Sequence, residues 1–96
     1  MTLHCLYRLP DSPTAARLLA QLGATDVVLL LGEAVVLARV SLPELAAWLA
    51  SGARLYALTD DLSAYGIDTP APEVRAASYA DWVSLSEACA TQTAWH

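Results

Sequence analysis

Apolar residues in this chain come in unbroken blocks at its centre and in helical spacing on either side. Residues 26–40, DVVLLLGEAVVLARV, hold two almost uninterrupted apolar runs hinged on Gly32-Glu33 and followed at once by SLPELAAWLA. A strand with one face in water alternates polar and apolar side chains. Val27–Leu31 and Ala34–Ala38 do not alternate, so both read as strands covered on two faces. The pattern predicts a sheet sandwiched between helices. Gly32-Glu33 leaves two geometries open, a tight hairpin that makes the runs antiparallel neighbours or one bent strand broken at the glycine.

The flanking elements follow from local signals. Leu3–Tyr7 reads as the first strand, ended by Leu9-Pro10. Asp11-Ser12-Pro13 sets a polar cap before a proline and opens a helix over Thr14–Leu22, closed by Gly23. Ser41-Leu42-Pro43-Glu44 matches a capping box for a helix running to about Ala50 and ended by Gly52, with Leu42, Leu45, Trp48 and Leu49 at helical spacing. Arg54–Leu58 is the next strand, and Asp60-Asp61 cap a short helix, Leu62–Tyr65, that stops at Gly66. After Pro70 and Pro72 comes a weak strand, Val74–Ser78. Ser78-x-x-Asp81 then introduces the last helix, Tyr79–Ala90, whose apolar side is Trp82, Val83, Leu85, Ala88 and Cys89. Thr91–His96 reads as a tail carrying Trp95. Strands alternating with helices predict a single-domain α/β fold over residues 1–96, with a mostly parallel sheet of about five strands flanked by helices.

Composition narrows the function. At 56% hydrophobic and 16% charged residues, the chain carries more apolar side chains than a lone domain of 96 residues readily hides. Part of its surface is expected to face another subunit or a second copy. All five basic residues are arginines, scattered singly at 8, 17, 39, 54 and 75, against ten acids and a net charge of −5. Direct nucleic-acid binding, which relies on clustered cations, is disfavoured. No apolar run approaches the roughly 20 residues a bilayer requires, and no basic stretch precedes an apolar signal core, so a cytoplasmic protein is expected.

Candidate chemistry is sparse. Cys5 and Cys89 are the two thiols, and His4 and His96 the two imidazoles, without the close pair spacing of a metal site. No metal or other cofactor is expected. A reactive cysteine draws on a helix N-terminus or a cationic neighbour; Cys5 sits on a strand and Cys89 near the unfavourable end of a helix. Both read as packed thiols and only weak catalytic candidates. His4 and Cys5 point to opposite faces of their strand, so adjacency does not pair them. Asp60 and Asp61 stand at the C-terminal end of a strand, where parallel sheets place ligands, though capping already accounts for them. The turn RLPDSPT lacks the glycines of a phosphate loop. Trp95 and Trp82 are the interface candidates, because aromatic rings are over-represented in interface cores.

Taken together, LHCLYRLP at 3–10, VVLLLGEAV, LYALTDDLSAYG at 55–66, SYADWV at 78–83 and the closing Ala94-Trp95 resemble the TusB/DsrH family, in order and over essentially the full chain. The resemblance implies a DsrEFH-like fold and a subunit of a sulfur relay. It also implies partners, one TusC/DsrF-like and one TusD/DsrE-like subunit, in a heterohexamer with two copies of each. The TusD/DsrE-like subunit carries the principal persulfide, and the sulfur ends in 2-thiouridine at the tRNA wobble position or, in related assemblies, in dissimilatory sulfur oxidation. Some members carry a cysteine in the first helix; Thr14–Leu22 has none, which favours a structural, non-catalytic role. Two other readings stand beside this one: a sulfurtransferase in its own right using Cys89 or Cys5, and a small-ligand-binding homo-oligomer using Asp60 and Asp61.

Overall fold

The computed structural model describes residues 1–39 and 43–95. Ten elements follow one another: β1 (Thr2–Leu6), α1 (Ser12–Gln21), β2 (Val27–Leu30), a 3-10 helix (Gly32–Ala38), α2 (Pro43–Ala50), β3 (Arg54–Leu58), α3 (Thr59–Ala64), β4 (Val74–Ala77), α4 (Tyr79–Ala88) and β5 (Thr91–Trp95). The strands form one five-stranded sheet in the order β4-β3-β2-β1-β5, and every pairing is parallel. The expected α/β class is therefore observed.

Two expectations are corrected. Ala34–Ala38 is no strand, and there is neither a hairpin nor a bent strand at Gly32-Glu33. The second apolar run coils into a 3-10 helix whose Ala34, Val35, Leu37 and Ala38 are buried. Gly32 makes the change of direction. Its φ of +53° is left-handed, and a Cβ there would stand 3.1 Å from the Tyr7 carbonyl oxygen. Thr91–Trp95 is the fifth strand instead of a tail; it pairs with β1 from Thr2↔Thr91 to Leu6↔Trp95.

Strand order decides how the layers form. The first three crossovers step one way across the sheet, from β1 to β4, and the last returns from β4 to the far edge at β5. Right-handed crossovers put helices stepping in opposite directions on opposite faces. Two separate cores result. Leu6, Val28, Leu30, Leu55, Ala57 and Val74 of the sheet meet Leu18, Leu45, Trp48, Leu62 and the 3-10 helix on one face. On the other, Leu3, Cys5, Val27, Leu29, Leu58 and Ala77 are joined by Cys89, with Trp82 and Leu85 of α4 at the margin. β2 is buried along its whole length, the sequence signature of a strand covered twice.

Caps hold the helices in place. Asp11 accepts the Thr14 N–H at 2.8 Å, and the Thr14 side chain first, then this backbone N–H, hold the Asp11 carboxyl below its ordinary value. Ser78 and Asp81 form a reciprocal capping box at the start of α4. The capping box expected at Ser41–Glu44 lies outside the described residues. α2 ends at Gly52, whose φ of +94° and 3.0 Å approach to Ala24 leave no room for a side chain.

Candidate functional site

Every sequence candidate has a definite place. Asp60 and Asp61 lie within the first turn of α3 and do not cap it; the N-cap is Leu58, with no side-chain bond. The Asp61 carboxylate instead reaches across the C-terminal edge of the sheet and accepts the Gly32 N–H at 2.8 Å. Beside it, Glu33 accepts the Leu9 N–H at 3.1 Å, and the Thr59 hydroxyl donates to the Ala77 carbonyl at 3.1 Å. This edge is where open α/β sheets bind ligands. Here the side chains of Asp61 and Glu33 tie its loops together.

His4 is buried and has a partner on each ring nitrogen. The indole N–H of Trp95 donates to Nδ1 at 3.2 Å, which requires that nitrogen to be bare. The proton therefore sits on Nε2 and is directed to the Asp26 carboxylate at 3.2 Å. Asp26 also accepts the Thr2 N–H at 2.9 Å and the Gly23 N–H at 3.0 Å. Burial pushes its carboxyl up, but the Gly23 and Thr2 amides and the His4 ring together outweigh burial, and the net shift is down. With no nucleophile joined to it, this network locks β1, β2 and β5 to one another. His4 thus serves the fold, and Trp95 lays its ring on its own chain.

The two cysteines come together. Cys5 (3% exposed) and Cys89 (6%) share the core under α4, reaching it from β1 and from the C-cap of α4. Both are free thiols. Burial is the largest influence on Cys5 and drives its thiol above the ordinary value; bonds from Trp82 and Tyr7 pull the other way without offsetting it, and Cys89 adds to the rise. Tyr7 is raised too, chiefly by burial and then by Cys5. A thiol held protonated and covered is a poor nucleophile. Among the described residues no group of three or more His, Cys, Asp or Glu gathers as a metal site; His96 lies outside them.

Above this core α4 is the outermost layer. Not one of its residues is fully buried. Tyr79 (54% exposed) and Val83 (57%) stand outward, and Tyr79 stacks on half-buried Trp82 with ring centroids 6.1 Å apart. These three with Ser86 and Glu87 border a depression of about 460 Å³. No helix among the described residues is long and apolar enough to cross a membrane.

With the fold and the two thiols placed, comparison with known families decides the rest. The family described as DsrH like protein matches residues 11–92, most of the chain. The chain belongs to the DsrH-like family. Membership makes it, in general terms, a sulfur-relay subunit. No curated protein sequence matches this DsrH-like chain. The matched span takes in α1, which has no cysteine, and α4, which presents the exposed rings.

Proposed function

We propose that this DsrH-like chain is a non-catalytic structural subunit of a TusBCD-like heterohexamer, paired with TusC/DsrF-like and TusD/DsrE-like subunits and supporting 2-thiouridine formation at the tRNA wobble position in the cytoplasm. The observation that carries this reading is the state of its sulfur. Both thiols are buried, Cys5 is held protonated by its surroundings, and the first helix offers no cysteine at all. A subunit with no accessible nucleophile serves a relay by shaping and holding the subunit that has one. The half-buried Trp82, with Tyr79 and Val83, supports a contact surface on α4.

The test co-expresses the chain with its two small partner subunits and replaces Cys5 and Cys89 together by alanine. Assembly by native mass spectrometry and 2-thiouridine content of tRNA are both expected to persist. Loss of 2-thiouridine with assembly intact would overturn the non-catalytic assignment. A host that instead oxidises sulfur would assign the same subunit to a dissimilatory relay.

A sulfurtransferase reading draws on the company Cys5 keeps, Trp82 and Tyr7, whose polar hydrogens act to lower its thiol against the larger effect of burial, as donors to a sulfur anion do. Its mark is a mass gain of about 32 Da, one sulfur atom on a thiolate, when the chain meets a desulfurase and cysteine. Unmodified Cys5 and Cys89 after that treatment exclude it.

A further inference from the structure

We propose that the groove between α4 and the β3–β4 side of the sheet is a binding site for a small tetrahedral oxyanion, held by Arg54 and Arg75 with Tyr56 between them. The groove encloses about 280 Å³ and is lined by Arg54, Tyr56, Asp81, Ser84, Leu85 and Ala88. Arg75 of β4 stands beside this lining, as the direct partner of Tyr56 of β3. Alternation puts Arg54 on the same face two residues before Tyr56, while Leu55, Ala57 and Val74 fill the opposite core. With strands about 4.8 Å apart and a rise of about 3.3 Å per residue, the two arginine Cα atoms lie about 8 Å apart, within reach of one anion.

Their charges are not spent on other described residues. Among the described residues the one imidazole or guanidinium nitrogen within 4 Å of a carboxylate belongs to His4, on Asp26, so neither arginine has a carboxylate partner there. Arg54 makes only a 3.5 Å contact to the Met1 sulfur. Guarding a sheet edge accounts for Arg75, since β4 is an edge strand. It does not account for Arg54, because β3 has a strand on each side. Asp81 is the one acid lining the groove, and its carboxylate accepts the Ser78 N–H in the α4 cap. Two guanidinium forks and a phenol hydroxyl suit an oxyanion that accepts several hydrogen bonds at once.

The experiment titrates the full chain with sulfate and with phosphate against chloride at matched ionic strength, followed by calorimetry and by the unfolding midpoint. Saturable binding is expected in the millimolar range, weakening as chloride rises. Arg54→Gln and Arg75→Gln are each expected to lower affinity tenfold or more, and Arg17→Gln on α1 to leave it unchanged. Both arginines are exposed, so the variants are expected to keep the wild-type midpoint without sulfate. A response that never saturates, or one equal in wild type and both variants, would show only the general action of sulfate on proteins and overturn the site.

Discussion

The two faces of the sheet are built to different depths. One is covered by α1, the 3-10 helix, α2 and α3 and encloses Trp48 at 1% exposure. The other is roofed by α4 alone, which buries no residue completely and turns Tyr79 and Val83 outward. A layer that makes stability and little else resembles the first. The second holds both cysteines, three partly buried aromatic side chains and the proposed anion groove in a thinner space. On the proposed reading stability and contact lie on opposite sides of one sheet, so each side can be altered separately.

The comparison breaks most plainly at its two tryptophans. Trp48→Ala is expected to cost about 3–5 kcal/mol in chemical denaturation, since it empties a fully packed site. Trp82→Ala, half-buried at the margin of the thin core, is expected to cost about 1–2 kcal/mol while weakening assembly with partner subunits. Equal costs would mean that α4 is as much a part of the core as α2.

Next in size is the buried network at the edge of the thick face. Asp26→Asn removes the charge that accepts three donors and is expected to cost about 1.5–3 kcal/mol near neutral pH. The folded carboxyl lies below its unfolded value. Its contribution is therefore complete above about pH 4, the ordinary range of an aspartate, and is lost as pH falls through the lower folded value. Denaturant midpoints measured from pH 6 downward are expected to fall more steeply in wild type than in Asp26→Asn. Parallel curves would remove Asp26 from the acid response.

Smaller effects are expected at the connections. Asp61→Ala leaves the Gly32 N–H without its carboxylate and is expected to cost about 1 kcal/mol. Cys5→Ala and Cys89→Ala, which remove small side chains from the thin core, are each expected to cost about 1 kcal/mol and to leave sulfur transfer by the assembled relay unchanged. A larger loss at either cysteine would make the thin face a structural equal of the thick one.

The parts of this fold that were legible in sequence share a strong local signal. β2 could be read because an apolar run covered twice cannot alternate, and α4 because Ser78 and Asp81 announce a capping box. Ala34–Ala38 was misread for a reason that periodicity does not resolve: a short buried run looks the same whether it is extended or coiled. β5 was missed because TQTAW is an edge strand with no fully buried residue, so it carries little apolar pattern. The site was the least legible. His4 and Trp95 are 91 positions apart, and only the sheet order brings β5 beside β1 and sets Cys89 in the core with Cys5. The acids at 60 and 61 were located correctly, but the reach of Asp61 to Gly32 is a tertiary bond with no sequence signal.

The return of the chain from β4 to β5 also sets an order in time. β1 precedes the other four strands in the chain, yet one of its two edges has no neighbour until residues 91–95 emerge and pair with it. Until then the sheet can grow only in the direction of β4, with the hydrogen-bonding groups on the free side of β1 turned to water. When β5 arrives, its Trp95 reaches His4 and ties the last strand of the sheet to β1. The sheet is thus completed by a late, non-local step of the kind that slows folding, and a chain shortened before residue 91 is expected to keep an open, pairing-competent edge.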